Sequence, residues 1–490
     1  MKPNILLITT DTFRCDALHC MGSTFAVSPN LDRLAREGVL FRQAHTASPV
    51  CAPARCSLLT GVHTHIHGCV ENGISRRTEL PVFPDFLKEQ GYYNIMIGKT
   101  HFEPVPESFD ATCITGEKGQ NIDDSYAEYL RGHNIARTEK NIPEEHFLDK
   151  FLIDRTIGEI DETLEREKGP FFAFCSLPSP HSPIDPPGKW AHLYDDTVLP
   201  PLNYSTSEEE HYPEHMRRLV GKPDEEERAY LGEALARYAD THCGIKDAGP
   251  EYIENLRKRY YGLAAYVDFQ IGRLLYYLDE KGLRENTLII FSSDHGQEYF
   301  DHGFNNKHNY HDASWRIPLI MSLPGTLLAG ETRDYAIWTD IPATILGAAG
   351  TACNTFQGFD LFTPLTEGMP SPRKCAVGTL YMSAAVATDR WKLEYYFEEG
   401  RGRLFDRQSD PQEQQDLYDE EAYQEVRDHL VTALLCWRAA SADIWYLKNN
   451  RSGGGPVAKR LELQTMKMKG TDAEERLQAE LISLNGCKPN

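Results

Sequence analysis

The stretch SPVCAPARCSLLTG at residues 48–61 sets a cysteine at the start of a predicted helix, two residues before Pro53 and four before Arg55. Proline suits the first turn of a helix, and Arg55 lies one turn after Cys51 on the same face. A thiol at a helix N-terminus beside an arginine has a lowered pKa, which favours thiolate chemistry. These residues alone leave Cys51 three roles: nucleophile, metal ligand or buried packing residue.

Further residues able to do chemistry follow the predicted strands, at the point where each strand ends. They are Asp11, then Lys99 with His101, then His181, then Asp294 with His295. Taken singly, each could be a helix cap, a turn residue or a satisfied polar side chain. Because ligands bind beyond the carboxyl ends of the strands in an open α/β sheet, their shared placement predicts one site.

Two kinds of ligand are predicted at this edge of the sheet. Asp11, Asp294 and His295 offer the carboxylate and imidazole ligands that bind a divalent cation. Positive charge for a tetrahedral anion comes from Arg55, Lys99 and Lys307. The sequence therefore predicts a metal-assisted anion site.

Short apolar runs that alternate with helical patterns must position these residues. The predicted strands are 4–9, 93–97, 171–177, 287–292 and 317–323, and the predicted helices include 83–90 and 260–281. Near-continuous apolar strands are typical of a sheet covered on both faces. The pattern predicts an α/β fold with a large mixed, mainly parallel sheet sandwiched by helices.

In the C-terminal part, strands no longer alternate with helices. Short strand-like runs separated by turn signals over 375–419 predict a smaller α+β subdomain with a short antiparallel sheet. The predicted domains are 1–370, a large α/β domain in which 200–250 form an insertion or cap near the substrate, and 371–448, the C-terminal subdomain. Residues 449–490 are predicted to be a linker and a helical tail that could exchange between subunits of a homo-oligomer.

Composition excludes several classes of function. The chain has 490 residues and a formal net charge of −22, which repels nucleic acid and anionic membranes. Its 12 cysteines show no paired CxxC spacing, so most are predicted to be reduced. The N-terminal apolar stretch in MKPNILLIT is too short for a signal peptide or a membrane span, which predicts a cytoplasmic protein unless a leader was trimmed.

With its flanking motifs, the cysteine segment resembles the signature of the type I sulfatases of the alkaline phosphatase superfamily. The resemblance covers roughly residues 1 to 420, and its segments run in the family's order. They are CAPAR with LTG at 51–61, GKTH at 98–101, PHSP at 180–183, YYGLAAYVDFQIGRLL at 260–275, SDHG at 293–296, KHNYHDASWRIP at 307–318, ATDRWKLEYYF at 387–397 and RLFDRQSDPQEQQDLY at 403–418. CxPxR alone would be weak evidence. The full set is much more specific.

This resemblance implies a sulfuric ester hydrolase whose nucleophile is the hydrate of a Cα-formylglycine, made from Cys51 by a separate formylglycine-generating or sulfatase-maturating enzyme. That enzyme would recognise Pro53 and Arg55, and Arg55 would afterwards hold the formylglycine hydrate in the site. Lys99 and Lys307 would neutralise sulfate oxygens. His181 would protonate the leaving alcohol, and His101 would assist the release of sulfate.

The metal ligands implied by the resemblance are Asp11, Asp294, His295 and the modified Cys51. Many sulfatases carry two adjacent carboxylates after the first strand, whereas Asp11 is followed here by Thr12. The coordination shell of the metal would then be completed by the Thr12 hydroxyl or by water. Calcium is the first choice from the family, with manganese and zinc as alternatives.

Two other functions compete with a sulfatase. One is a phosphonate monoester or phosphodiester hydrolase of the same superfamily, and the other is a non-catalytic anion-binding protein. For a sulfatase, the net charge favours a small carbohydrate, aryl or steroid sulfate over a long polyanion. Candidate substrate-binding residues, which could equally form a solvated surface, are His67, Glu103, His302, Asn305, His308 and His311.

Overall fold

The structure, a computed structural model, describes residues 2–115, 125–136, 142–166, 168–214, 216–217, 229, 244–449, 469–482 and 484. Within these residues eight strands form the larger sheet. They are β1 (Asn4–Thr10), β2 (Val39–His45), β3 (Tyr93–Gly98), β4 (Ala111–Ile114), β5 (Phe171–Ser176), β6 (Thr287–Ser293), β7 (Leu319–Ser322) and β8 (Gly330–Ile337). Their order across the sheet is β4-β3-β5-β1-β6-β7-β2-β8.

The sheet is mixed and mainly parallel, as predicted. Among the described strands of this larger sheet, only β7 runs antiparallel to its neighbours, which are β6 and β2. The other adjacent pairs are parallel, and β1 lies between β5 and β6. Because β1, β3, β5 and β6 point the same way, the segments that follow them meet at one edge.

Helices cover both faces of this sheet and continue into the C-terminal region. They are α1 (Pro29–Glu37), α2 (Cys51–Thr60), α3 (Thr64–His67), α4 (Phe83–Glu89), α5 (Ser125–Gly132), α6 (Leu148–Glu165), α7 (Pro250–Glu280), α8 (Asp312–Trp315), α9 (Asp340–Ala348), α10 (Phe362–Glu367), α11 (Gln424–Asn449) and α12 (Asp472–Ile482). Short 3₁₀ turns occur at Cys15–Ala17, His19–Met21, Glu144–His146, Gly188–His192, Glu208–His211, Arg284–Asn286, Asp301–Gly303 and Glu421–Tyr423.

Two apolar cores lie on opposite faces of the larger sheet. Alternate residues of β1 divide between them, with Ile5 and Leu7 in one and Leu6 and Ile8 in the other. All seven residues of β1 are buried. A strand buried on both faces is apolar at most positions, which explains the continuous apolar runs in the sequence.

A second sheet is antiparallel, with the order β12-β11-β10-β9, from strands β9 (Ala376–Leu380), β10 (Ser383–Ala387), β11 (Trp391–Tyr396) and β12 (Arg401–Asp406). It confirms the predicted antiparallel C-terminal sheet. Its core includes Leu430 of α11 and Leu477 of α12, but also Trp315 of α8. The boundary drawn at residue 370 stays a prediction, because this core takes side chains from both sides of it.

The predicted strands are confirmed, with bounds that change by at most two residues. The prediction of a helix from 260 was wrong about its start, because α7 begins at Pro250, directly after Gly249. Its first turns are largely charged, and only Ile253 and Arg257 are buried there, so the apolar spacing in the sequence becomes clear only later.

The predicted insertion and tail are described only in part, since 218–228, 230–243 and 451–468 lie outside the described residues. The described part of the insertion packs against the Asp301–Gly303 turn. His302 donates its backbone N–H to the Asn203 carbonyl (2.6 Å), and Ile245 donates to the Gly303 carbonyl (2.8 Å). In the part of the chain that the structure describes, no helix combines the length and the apolar character needed to cross a membrane.

Candidate active site

The ends of β1 and β6 bring the predicted carboxylates together. Thr10 and Ser293 are paired in the parallel register of these strands, and Asp11 and Asp294 are the next residues. Both carboxyl groups are fully buried. Sheet pairing thus juxtaposes two acids that are far apart in the sequence.

The ends of β3 and β5 meet through a close backbone approach. Gly98 lies opposite Ser176, with a φ of 103°. A Cβ atom at Gly98 would lie 1.9 Å from the Ser176 carbonyl oxygen, so the position requires glycine. Lys99 follows directly, and its backbone N–H donates to the same carbonyl (2.9 Å).

Helix α2 carries Cys51 and Arg55 into this edge. Val50 is extended, with φ −146° and ψ 138°, and the helix begins at Cys51, as predicted. Gly61 ends it in the left-handed region at φ 65°, where its N–H donates to the Ser57 carbonyl (2.9 Å). Every residue of α2 is buried, and the side chains of Cys51 and Arg55 contact Asp11 and Asp294.

Four potential ligand atoms converge at the centre of the site. His295 Nε2 lies 3.2 Å from Cys51 Sγ, 3.6 Å from Asp294 Oδ1 and 3.9 Å from Asp11 Oδ1. Cys51 Sγ is 3.8 Å from Asp11 Oδ1. Ligands about 2.4 Å from one cation, at angles of about 90° to 110°, would be about 3.4 to 3.9 Å apart. Three of the four separations fall in this range and the fourth, between His295 and Cys51, is slightly shorter, so the four groups could hold a single divalent cation.

The second oxygen of each carboxylate is held by a cation. Lys99 Nζ is 2.5 Å from Asp11 Oδ2, and Arg55 Nε donates to Asp294 Oδ2 at 2.8 Å. The Oδ1 atoms are the ones that lie near the other donors, and Asp294 Oδ1 also accepts the backbone N–H of His295 (2.9 Å). Such outer contacts orient metal ligands in known metal sites.

Arg55 has partners on several sides. Besides its contact with Asp294, its Nη1 donates to the Ser176 hydroxyl (2.7 Å) and to the Lys99 carbonyl (3.1 Å). Its Nη2 lies 3.5 Å from Asp11 Oδ2. The guanidinium is fully buried, and these partners hold it in one orientation.

Cys51 lies in a strongly positive environment. Lys307 Nζ donates to Cys51 Sγ at 3.1 Å. Although burial acts the other way, Lys307, Lys99 and His295 hold the pKa of the Cys51 thiol well below its ordinary value. Burial acts to lower the pKa of Lys307, but the negative charges of Cys51 and Asp11 raise it to about 12. The pocket is thus arranged to stabilise negative charge at position 51.

The two buried acids have pKa values that move in opposite directions. Burial and the neighbouring Asp11 raise the pKa of Asp294. The pKa of Asp11 is lowered. Burial and Cys51 act to raise it, but Lys99, His181 and Lys307 lower it by more. Asp11 is therefore the carboxylate more firmly held in its charged form.

Two histidines lie near these residues: His101 interacts with Cys51, and His181 interacts with Asp11. His101 is 7% exposed, has a left-handed φ of 53°, and its hydrogen bond with the Cys51 thiol contributes to the lowered pKa of that thiol. His181 is partly exposed, and its Nδ1 donates to the Ser182 carbonyl (2.8 Å). This bond sets the tautomer of His181, so that Nε2 is the nitrogen available to exchange a proton with a ligand.

The structure also places the six candidate substrate-binding residues. His67 contacts the Ser57 hydroxyl through Nε2 (2.9 Å) and accepts from the Cys69 N–H at Nδ1 (3.1 Å), so both ring nitrogens are used behind α2. Glu103 accepts from the Thr100 hydroxyl (2.7 Å).

His302 and His311 lie together in a separate buried cluster with Glu298. Their rings stack at 3.6 Å between centroids. His302 Nδ1 donates to Glu208 Oε2 (2.6 Å), and Arg403 Nη1 donates to His311 Nε2 (2.8 Å). These contacts serve the packing of the Asp301–Gly303 turn, and the substrate role of both residues stays a prediction.

Asn305 and His308 flank Lys307. Asn305 is 5% exposed, and its carbonyl accepts from Gln297 Nε2 (3.1 Å). His308 has a φ of 77° and lies 3.6 Å from Glu71, from Nε2 to Oε2. Of the six candidates, His308 and Glu103 are the ones that are partly exposed.

Sequence reasoning missed two contributors to the site. Ser176, at the end of β5, holds Arg55, and Asn72 Oδ1 accepts the backbone N–H of Ala52 in the first turn of α2 (3.0 Å). The only signal for Ser176 was a small polar residue at a strand end. Asn72 had no local signal, because its role depends on how its loop folds back.

Comparison with protein families gives two matches. The family model described as Sulfatase matches residues 3–351, and the model described as N-sulphoglucosamine sulphohydrolase, C-terminal, matches residues 300–440. The second model crosses both the larger sheet and the C-terminal sheet. Together they extend from β1 into α11.

Individual relatives cover most of the chain. An arylsulfatase of Clostridium perfringens is 29% identical over 475 residues, which cover 89% of this chain and 94% of that protein. A multifunctional alkaline phosphatase superfamily protein of Trinickia caryophylli is 28% identical, covering 90% of this chain and 96% of that protein. The crystal structure of a phosphonate monoester hydrolase of Agrobacterium radiobacter has a TM-score of 0.77 at 24% identity, covering 89% and 96% of the two chains, which supports the fold.

Proposed function

The chain belongs to the sulfatase family of sulfuric ester hydrolases, in the alkaline phosphatase superfamily, and from this premise we propose that it hydrolyses a small sulfate monoester through a formylglycine made from Cys51. The observation that carries the proposal is the position of Cys51 Sγ. It lies at the start of α2, 3.1 Å from Lys307 Nζ and 3.2 Å from His295 Nε2. A nucleophile there is surrounded by the charges that a sulfate ester requires.

A divalent metal ion is part of this proposal. Asp11, Asp294 and His295 would hold it together with residue 51, and their donor spacing supports one cation. Calcium is proposed first because two of the donors are hard oxygens, and manganese or zinc would suit the imidazole. When bound, the metal neutralises charge on the ester and orients it. The Thr12 hydroxyl is buried at this site, and its role as a further ligand remains a prediction.

Formylglycine would replace the thiol at position 51. When present, it supplies a hydrated aldehyde whose hydroxyl attacks sulfur. The oxygens of that group would take the place of Sγ, so Lys307 would then face an oxygen. Arg55 cannot move freely because Ser176, Asp294 and the Lys99 carbonyl hold it, and it keeps the carboxylate of Asp294 in place.

The remaining side chains of the site divide between charge and proton transfer. Lys99 and Lys307 neutralise the oxygens of the sulfate group. His181, partly exposed at the entrance, donates a proton to the departing alcohol, which would otherwise leave as an unstable alkoxide. His101, in contact with residue 51, assists the release of sulfate by taking a proton there.

A phosphonate monoester is the second candidate substrate. The observation in its favour is the fold that this chain shares with the phosphonate monoester hydrolase of Agrobacterium radiobacter, at a TM-score of 0.77. A phosphonate monoester carries one negative charge, as a sulfate monoester does. The same lysines could therefore neutralise either anion.

The test begins with protein produced together with a formylglycine-generating enzyme. Mass spectrometry of the peptide across Cys51 measures conversion of the thiol to the aldehyde. The values of kcat/KM are then measured for 4-nitrophenyl sulfate and for 4-nitrophenyl phenylphosphonate. We expect conversion, and a higher kcat/KM for the sulfate ester.

Two cysteine variants make this test specific. Cys51→Ala should abolish turnover, whereas Cys56→Ala, which changes a buried cysteine five residues later in the same helix, should retain it. Full activity of Cys51→Ala would refute the mechanism. A higher kcat/KM for the phosphonate would establish the second candidate, and a converted enzyme that hydrolyses neither ester would favour an anion-binding protein.

A further inference from the structure

One partly exposed carboxylate near Cys51 has no part in the proposed chemistry. Glu71 is close enough to Cys51 to interact with it electrostatically. The carboxylates Asp11 and Asp294, which also interact with Cys51, are fully buried, whereas the side chain of Glu71 is 38% exposed. Glu71 can therefore meet a ligand that approaches from solvent.

The loop that carries Glu71 is attached to the first turn of α2. Asn72 Oδ1 accepts the N–H of Ala52, the residue after Cys51 (3.0 Å). Glu71 Oε1 in turn accepts the N–H of Asn72 (2.8 Å), and Cys69 Sγ donates to the Glu71 carbonyl (3.7 Å). These contacts hold the carboxylate next to the nucleophile.

The other oxygen of Glu71 faces His308. The two side chains are 3.6 Å apart from Oε2 to Nε2, and His308 is 28% exposed. His308 directly follows Lys307, whose Nζ contacts Cys51 Sγ at 3.1 Å. Its φ of 77° is rare for a residue with a side chain, and such conformations concentrate at ligand sites. One short segment thus supplies both the anion-binding lysine and the partner of Glu71.

The charges around the nucleophile are therefore arranged in two zones. The inner zone is positive and suits the sulfate group, with Lys99 and Lys307 as its cations. The outer zone holds the carboxylate of Glu71. Burial acts the other way, but His308 lowers the pKa of Glu71, so the group is charged at neutral pH. A carboxylate in this position repels an anionic alcohol and attracts a cationic one.

We propose that Glu71, oriented by His308, determines substrate specificity by accepting a charge-assisted hydrogen bond from an ammonium group on the alcohol part of the sulfate ester. The preferred substrates are then small sulfated amines, such as sulfated amino sugars with a free amino group. This inference rests on the proposed sulfatase function and deepens it. It also explains why a small substrate is preferred, because the carboxylate of Glu71 would repel a polyanionic chain.

The test compares two sugars that differ at one substituent. Glucosamine 6-sulfate has an ammonium group where glucose 6-sulfate has a hydroxyl, and both have the same leaving group at carbon 6. The measured quantity is the ratio of their kcat/KM values with matured enzyme. We expect a ratio of about ten or more, which is the size of one charge-assisted hydrogen bond.

Substitutions then test whether Glu71 causes the preference for glucosamine 6-sulfate. Glu71→Gln removes the charge and should bring the ratio close to one, while Glu71→Asp keeps the charge and should keep the preference. Glu79→Gln, at an exposed position of the same region, is the matched control and should retain the wild-type ratio.

Each contrary outcome can be recognised. A wild-type ratio near one, no turnover of either sugar, or a Glu71→Gln variant that keeps the ratio would each overturn the proposal. The sulfatase function would survive those results if the matured enzyme hydrolyses 4-nitrophenyl sulfate. If it does not, the proposed function itself has failed, and the assignment of Glu71 fails with it.

Discussion

Replacing Asp149 by asparagine should change how the stability of the protein depends on pH. Asp149 is in α6, has no exposed surface, and accepts a hydrogen bond from the Ser179 hydroxyl at 2.6 Å. Ser179 is two residues before His181, so this bond helps to position the segment that carries the proposed acid. Burial raises the pKa of Asp149 from 3.8 to about 6.

The sign and size of the effect follow from these two values. Between pH 3.8 and about 6 the folded protein holds a proton on Asp149 that the unfolded chain has released. Stability is therefore lost as the pH rises through this window. At about 1.36 kcal/mol per pKa unit, the total loss above the window is about 3 kcal/mol. For a chain of 490 residues this corresponds to a Tm shift of about 3 °C.

The measurement is the Tm of wild type and of Asp149→Asn at pH 4 and at pH 8. Asparagine cannot ionise, so the difference in Tm between variant and wild type should be about 3 °C more positive at pH 8 than at pH 4. Comparing two pH values cancels any fixed cost of the amide group. Glu165→Gln, at an exposed position of the same helix, should show no such change.

A difference between variant and wild type that is the same at both pH values would refute the reasoning. It would mean that Asp149 ionises in the folded protein as easily as in the unfolded chain. A change of the opposite sign would mean that the folded structure stabilises the charged carboxylate, through the Ser179 bond, by more than burial destabilises it.

Two further predictions concern the site. Ser176→Ala removes the acceptor of a buried Arg55 N–H and should cost about 1 to 3 kcal/mol of unfolding free energy, together with a lower kcat for 4-nitrophenyl sulfate. Unchanged denaturant unfolding would contradict that role. His181→Ala should lower kcat/KM for an alkyl sulfate at least about tenfold more than for 4-nitrophenyl sulfate, because only the poor leaving group needs a proton. Equal losses for both esters would argue against His181 as the acid.

Local sequence patterns were sufficient for the sheet and for the residues at its edge. The apolar runs ending at Thr9 and Ser292 correspond to β1 and β6, and each is followed by an acid. Parallel strands of one sheet end at the same edge, so a strand prediction also predicts which side chains meet. For this reason the sequence alone predicts that Asp11 and Asp294 lie close together.

Local patterns were insufficient where the partner of a residue is distant in the chain. His302 pairs with Glu208, and Arg403 pairs with His311, through contacts that span the insertion and the C-terminal sheet. A histidine-rich segment that lines a pocket has the same sequence pattern as one that packs in a buried hydrogen-bond network. Only the fold distinguishes these environments, because burial is set by all the elements around a residue.

The sequence by itself determined the type of fold, the start of α2 at Cys51 and the set of acids, lysines and imidazoles that reach one edge. The tertiary structure alone decided which atoms meet: that Ser176 holds Arg55, and that the partly exposed Glu71 faces His308. The physical reason is that periodicity and turn signals act over a few residues. A hydrogen bond between Arg55 and Ser176 joins residues 121 positions apart and exists only once the sheet has aligned them.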